Sequence, residues 1–234
     1  MRGALTIASC LVALVGCGGS QFGFDLPDHA CRAAEGDARP WETRGYRLPV
    51  PDDAPRRGAA RPIVVIQAFS DFECPHCAHA EPTMDRLLEE YGECLQVVWR
   101  NRPLGYHTHA RLAARAGHEV YRQGGDAAFW RFHDLVFADQ EHLERADLER
   151  HAAAVGGVDM AAFGAALDGD AHEEVIGRDL TTIDTLPGDQ SLGTPTFFVN
   201  GTLVHGARRH AHFAYRVEEA LADYYGTHTS GGPP

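Results

Sequence analysis

The sequence contains no lysine. All 21 basic residues are arginine, set against 33 acidic residues for a net charge of −12. We read the missing lysine as a bias of composition rather than a functional device. No long basic run exists either, which excludes a nucleic acid as the main partner, because such proteins present a basic patch to phosphate. A hydrophobic run able to span a bilayer comfortably is also missing. Ala4–Val15 is mostly apolar but falls well short of the ~20 residues required. There is no internal repeat. What is present is 234 residues, 44% of them apolar. That is enough to bury a proper core in one large domain, or in one domain with appendages.

The six cysteines are not equivalent. Arg2, the apolar run and the small residues after it follow the pattern of a secretory signal. Leu14-Val15-Gly16-Cys17 resembles the bacterial lipobox, in which the cysteine receives lipid and becomes the mature N-terminus. Residues 1–16 are therefore expected to be a lipoprotein signal and Cys17 a membrane anchor, against the plainer reading of an ordinary cleaved signal. Gly18 tilts the expected location towards the outer membrane. Cys10 leaves with the signal. Export leaves Cys31, Cys74, Cys77 and Cys94 in a compartment that permits disulfides, and four is consistent with two pairs.

Residues 17–61 read as a Pro- and Gly-rich tether, with a short strand over residues 46–50 as its one expected element. The domain is expected over residues 62–225 and a disordered tail over 226–234. Pro62-Ile-Val-Val-Ile-Gln-Ala-Phe69 has the texture of a buried strand, as does Cys94-Leu-Gln-Val-Val-Trp99. Between them Cys77, Ala80, Met84, Leu87, Leu88 and Tyr91 fall on one face of a helix that Gly92 can stop. Pro82 lies within that helix and predicts a bend. Residues 107–186 are mainly helical, with Gly-rich joints at 124–125, 156–157 and 169. Phe129, Phe132, Val136 and Phe137 are expected in the core, and Asp126 is expected to cap a helix. After Pro187 come a strand, an Asn200-Gly201 hairpin turn, a second strand and a last helix from about Arg209 to Tyr225.

The chemistry concentrates in Cys74-Pro75-His76-Cys77, on the turn between the first strand and its helix. Proline is favoured at the first helical position, so Pro75 makes Cys74 the N-cap and Cys77 the third helical residue. Free N–H groups and the helix dipole favour negative charge there. The Cys74 thiolate should be stabilised, with His76 adding positive charge or a hydrogen bond. Cys77, one turn on, can reach Cys74. A stabilised thiolate makes the disulfide more oxidising, with Cys74 the exposed, attacked sulfur and Cys77 the resolving one. Half of a zinc knuckle is the first alternative, but no second Cys-x-x-Cys supplies further ligands. A structural Cys74–Cys77 disulfide is the second, though so short a loop stabilises little. Asp71 and Glu73 read as solvated or capping charges rather than catalytic acids.

Thr194-Pro195 opens the strand Phe197-Phe-Val-Asn200. A cis peptide there would leave the Thr194 backbone free to pair with an extended substrate, but sequence alone favours a trans turn. Cys31 and Cys94 are expected to pair in an oxidising compartment, with free thiols or a third redox cysteine as alternatives. The 14 histidines, among them His107, His109, His118, His133, His205, His210 and His212, share no tight ligand spacing and read as surface or packing residues. No metal and no cofactor are expected.

The element order is β-α-β, a helical block, a β-hairpin and a helix. It matches the β-α-β and β-β-α halves of an α/β thioredoxin-like fold with an inserted helical subdomain. Phe69-Ser-Asp-Phe-Glu-Cys-Pro-His-Cys77, Pro103-Leu-Gly-Tyr-His-Thr-His-Ala-Arg-Leu-Ala-Ala-Arg-Ala116, Phe129-Trp-Arg-Phe-His-Asp-Leu-Val-Phe137 and Gly193-Thr-Pro-Thr-Phe-Phe-Val-Asn-Gly201 together resemble the DsbA-like thiol-disulfide oxidoreductases, over about residues 46–222. The resemblance implies a redox-active Cys74–Cys77 pair with a cis Pro195 packed beside it. It implies exported protein substrates with free thiols, and a membrane redox partner of a DsbB-like or vitamin-K-epoxide-reductase-like kind. The expected setting is the cell envelope, lipid-anchored and facing the periplasm. One departure stands out. The member that names the family has a buried acid six residues before its first cysteine, where this chain has Ala68. Proton handling for Cys77 would then pass to Glu73, His79 or water. Disulfide donation is the expected direction; a reductase or an isomerase would use the same pair. An isomerase usually needs a dimerisation module. None is found, and a monomer is expected. A metal-handling chaperone and a redox-silent binding module are the readings from other classes.

Overall fold

The computed structural model describes Cys31, residues 45–188 and residues 191–226. The β-branched run after Pro62 forms the central strand, β2 (Val64–Ser70, with β1 being Arg56–Gly58). It pairs in parallel with β3 (Leu95–Asn101), Val64 beside Leu95 and Ser70 beside Asn101. Every residue of both strands is buried, as parallel strands covered on two faces require. The crossover between them is α1 (Pro75–Tyr91), which ends at Gly92 with φ 41°. A turn of 3-10 helix, Gly92–Cys94, leads into β3. The helix runs through Pro82 as one element.

The hairpin β4 (Thr196–Val199) and β5 (Thr202–His205) adds to the other edge of β2, β4 running antiparallel to it. The sheet order is β1-β3-β2-β4-β5. Asn200 and Gly201 both take positive φ, the geometry that selects Asn-Gly. Asn200 also does something its turn role did not predict. Its Oδ1 accepts the Val65 N–H at 2.8 Å and its Nδ2 donates to Ile63 O at 3.0 Å, sewing the turn to the head of β2.

Between β3 and β4 lies the helical insertion: α2 (Ala110–Ala138), α3 (Arg145–Val155), α4 (Met160–Asp168) and α5 (Glu173–Asp184). The two helices expected on either side of Gly124-Gly125 are both present and meet at a break within α2, where Gly125 is non-helical at φ 65°, ψ −160°. Asp126 caps β1 instead of a helix, its Oδ1 accepting the Arg56 N–H at 2.8 Å. Phe129, Phe132 and Val136 are buried and Phe137 half-buried. Phe72, two residues before Cys74, stacks on Trp99 at 4.6 Å and meets Phe129, Phe132 and Phe137 within 6.3 Å. The insertion therefore packs directly beneath the cysteine turn. A buried polar seam adds a second attachment. Arg100 Nε pairs with Asp179 Oδ1 at 2.7 Å, and Asp179 Oδ2 accepts the backbone and side-chain N–H groups of Asn101. The last helix, α6 (His210–Tyr224), packs on β2, β4 and α1.

The segment before the domain differs from expectation. Residues 46–50 form no strand; Pro49 and Pro51 remove the N–H groups a ladder needs. The chain is held by a backbone bond, Tyr46 N–H donating to Gly201 O at 3.0 Å, and by side chains. Gln67 Nε2 donates to Leu48 O at 2.9 Å, and Leu48 packs with Phe69, Ile183, Leu192 and Phe198. The strand that does form is β1, antiparallel to β3, within the stretch read as tether. The folded body thus begins before residue 62.

Candidate active site

The turn from β2 into α1 has the geometry its sequence requires. Cys74 is the N-cap in an extended conformation (φ −77°, ψ 118°) and Pro75 the first helical residue. Cys77 N–H returns to Cys74 O at 3.0 Å. Across from them, Thr194–Pro195 is a cis peptide, and Cys74 Sγ donates to Thr194 O at 3.5 Å. Cys74 is not the exposed sulfur expected: it is 4% accessible, and Cys77 0%. The Thr194–Pro195 loop lies against Cys74, and Gln140 binds its backbone from the insertion, donating to Phe72 O at 2.7 Å and Cys74 O at 3.1 Å.

The two sulfurs are electrostatically unequal. Cys74 is lowered to about 5, chiefly by the hydrogen bond from the Cys77 thiol. The Thr194 side chain and the N–H groups of Cys77 and His76 add to this, against the cost of burial. While Cys74 is a thiol, Thr194 Oγ1 is buried without a partner, and so it is available to donate once the sulfur ionises. Burial pushes Cys77 well up, and the Cys74 thiolate beside it adds to this; the Ser70 side chain and the Asp71 N–H pull the other way. Low dielectric penalises charge on the inner sulfur, whereas directed N–H groups stabilise it on the outer one.

Asp71, read as a solvated or capping charge, is buried and caps backbone N–H groups. It is 2% accessible. Its Oδ1 accepts the Glu73 N–H, while its Oδ2 accepts the Leu104 N–H and meets His107 Nδ1, each at 2.8 Å. Burial raises its pKa against those three contacts. Glu73 is half-buried, and its Oε2 accepts the His109 N–H at 2.6 Å.

A family model described as thioredoxin matches residues 52–219, from before β1 to within α6. The chain belongs to the thioredoxin family. Its fold is the DsbA-like form, a mixed sheet with the helical insertion after β3. Among solved structures, a periplasmic thioredoxin-like protein from Salmonella enterica serovar Typhimurium is 22% identical, with a TM-score of 0.60 over 73% of this chain and 91% of that one. BdbD from Bacillus subtilis is 21% identical, with a TM-score of 0.64 over 72% and 93%. A curated relative, the Na(+)/H(+) antiporter NhaA 3 of Salinispora tropica, is 39% identical over 163 residues. That alignment covers 68% of this chain and 24% of the relative, so the chain spans about a quarter of the length of the curated relative it matches.

Of the residues singled out, this thioredoxin-family structure brings Cys74, Pro75, Cys77, Thr194 and Pro195 together. His76 is present, but through its backbone N–H; its ring is exposed, 6.2 Å from that of the exposed His79. Cys31 and Cys94 are disulfide-bonded, Cα atoms 4.4 Å apart. Cys17 lies outside the described residues, as do Cys10 and the tail from residue 227. Ala68 stands in β2 opposite Phe197, with no acid at that place; the groups favouring a Cys77 thiolate are Ser70 and the Asp71 amide. Among the histidines, His107 meets Asp71, and buried His118 accepts from Asn101 Nδ2 at 2.6 Å. The sequence reading missed Asp71, Ser70 and Gln140. Asp71 carried a usable signal, an Asx residue two before an N–H it can bind at the end of a strand. Gln140 carried none, since it sits 66 residues from Cys74.

Proposed function

We propose that the protein is a cell-envelope thiol-disulfide oxidoreductase that donates a Cys74–Cys77 disulfide to exported proteins carrying free thiols. The observation that carries this reading is the unequal pair: an outer sulfur lowered to about 5 at a helix N-cap and an inner one held up by burial. A substrate thiolate attacks Cys74 Sγ of the disulfide. The new S–S bond forms, the Cys74–Cys77 bond breaks, and Cys77 leaves with the electron pair and takes a proton. A second substrate thiolate then attacks the substrate sulfur of the mixed disulfide. The substrate disulfide is released and Cys74 departs as a thiolate, stabilised by the N–H groups of α1. Two electrons have passed from the substrate dithiol to the pair. An extended substrate segment pairs with the Thr194 backbone during attack. A membrane redox partner with a disulfide of its own, DsbB-like or vitamin-K-epoxide-reductase-like, takes the electrons up. The stabilised Cys74 thiolate favours the reduced pair, and therefore donation over reduction or isomerisation.

The envelope setting draws support from the lipobox ending at Cys17, the Cys31–Cys94 disulfide and the periplasmic relative. Cys17 is read as the lipid anchor, with the outer membrane as its site. Among the described residues no helix is long and apolar enough to cross a membrane, and no three His, Cys, Asp or Glu side chains are grouped to hold a metal ion.

The reduction potential of the Cys74–Cys77 pair is the test. A value well above the roughly −270 mV of thioredoxin is expected, and a value at or below it overturns donation as the direction.

A further inference from the structure

We propose that Asp71 is a positioning residue for the redox pair: its buried carboxylate fastens the cysteine turn to the Leu104–His107 loop and so sets how readily Cys74 and Cys77 exchange. The inference rests on the thiol-disulfide reading above and adds the residue that tunes it.

Asp71 touches both cysteines through its own peptide. Its carbonyl accepts the Cys74 N–H at 3.1 Å, and its N–H faces the Cys77 sulfur. Any rotation of residue 71 therefore moves groups at both sulfurs. Its side chain has no accessible surface, and a carboxylate so placed is costly unless it is well bonded. Three partners meet that need: the N–H groups of Glu73 and Leu104, and His107 Nδ1. The first folds the turn on itself and the other two come from the β3–α2 loop. Neighbouring bonds run the same way. Arg102 N–H donates to Ser70 O at 2.8 Å, and His109 N–H to Glu73 Oε2 at 2.6 Å. Residues 70–73 are thus laced to residues 102–109 on both sides of Asp71. The N–H groups of His76 and Cys77 stabilise the Cys74 thiolate only while the helix start is held against the sulfur. Loosening residue 71 releases that alignment and admits water. A direct proton-acceptor role for the carboxylate fits less well, because both oxygens are already occupied by donors.

The test uses the full chain with Cys31–Cys94 intact and three variants, Asp71→Asn, Asp71→Ala and His107→Ala. Two readouts are followed: the Cys74 thiolate titration by ultraviolet absorbance, and the equilibrium of the pair with glutathione. Asp71→Ala is expected to raise the Cys74 titration midpoint and shift the glutathione equilibrium about tenfold towards the disulfide. Asp71→Asn, which keeps size and one acceptor, and His107→Ala, which removes one partner at a half-buried position, are expected to shift it about threefold in the same direction. A merely structural role lowers the melting temperature and leaves the titration midpoint of the folded protein unchanged; that result overturns the proposal. Variants within twofold of wild type in both readouts overturn it as well. Asp71→Asn unchanged in midpoint but with the pH dependence of exchange abolished replaces positioning with proton transfer, and also overturns it. The thiolate titration needs no substrate. If wild type titrates as described yet exchanges with no protein thiol, the functional reading fails while this inference is still decided.

Discussion

The sulfur of Cys74 donates to the carbonyl oxygen of Thr194 at 3.5 Å, across 120 residues of sequence. The contact exists because β2 and β4 are antiparallel neighbours, with Phe69 opposite Thr196. One strand ends where Cys74 follows, and the other begins where Thr194 precedes it. The intervening helical insertion leaves the sheet after β3 and returns to it at β4. The reactive sulfur thus sits at the seam between the two halves of the fold, and its chemistry depends on both.

The reduction potential should change slope with pH near 5. Above about 5 Cys74 is a thiolate while Cys77 stays protonated, so reduction takes up one proton per two electrons and the potential falls by about 30 mV per pH unit. Below that point two protons are taken up and the slope is about 59 mV. Stability follows the same sign. The lowered Cys74 stabilises the reduced fold above its unfolded pKa, and that contribution is lost as pH falls through about 5. Cys77, raised, costs stability only as pH climbs towards its own high value. Redox equilibration with glutathione across pH 4 to 8, roughly spanning the lowered value, checks the break in slope; a slope of about 59 mV throughout refutes the lowered Cys74.

Replacing Cys77 with Ala removes the largest cause of the low Cys74 pKa. A hydrogen bond to a charged group is worth about 1.5–3 kcal/mol. The Cys74 midpoint should therefore rise by about one to two pH units. The rate of Cys74 alkylation against pH measures this. The same variant should accumulate mixed disulfides on Cys74 in cells, because Cys77 is no longer there to attack them. Their absence on a non-reducing gel would count against exchange by this pair.

Asp179→Ala should destabilise the fold by about 3–5 kcal/mol, since it leaves Arg100 buried without its counter-charge. The redox potential should stay within the error of the wild-type value, because neither Arg100 nor Asp179 is among the main groups acting on either sulfur. Urea unfolding and glutathione equilibration on the same preparation separate the two effects.

Cys31→Ser with Cys94→Ser should lower stability by about 4 kcal/mol on the chain-entropy model, given the 63-residue separation of the bonded pair. Exchange at Cys74 should persist at the wild-type rate. Loss of exchange in this double variant would instead make Cys31 a participant in the redox relay.

The positions of β2, β3, α1 and the hairpin were legible because each is specified locally. A β-branched run bounded by turn residues, a proline at a helix start and an Asn-Gly pair carry their meaning in a few neighbouring residues. Residues 46–50 were read as a short strand, which Pro49 and Pro51 prevent by removing the N–H groups a ladder needs. Asp126 was misread as a helix cap. A helix N-cap is a local pattern, but the N–H that Asp126 binds belongs to Arg56, 70 residues away.

Sequence alone pointed to Cys74 and Cys77 as the candidate pair and placed Cys74 at the N-cap, because that geometry follows from Cys-Pro at the start of a helix. It also placed Gly193-Thr-Pro195 after the insertion and beside the pair in the family's order. The cis peptide before Pro195 was implied by the family resemblance and not by the residues alone. The burial of Cys74, the clasp of Gln140 and the lacing of Asp71 came only with the tertiary structure. Those features depend on which distant backbone groups are brought within hydrogen-bond reach and shielded from water. A charge such as Asp71 reads as solvated or capping until three donors are known to surround it. The cysteine motif supplies the reacting atoms, and packing between distant segments supplies the dielectric and the directed N–H groups that make the two sulfurs unequal.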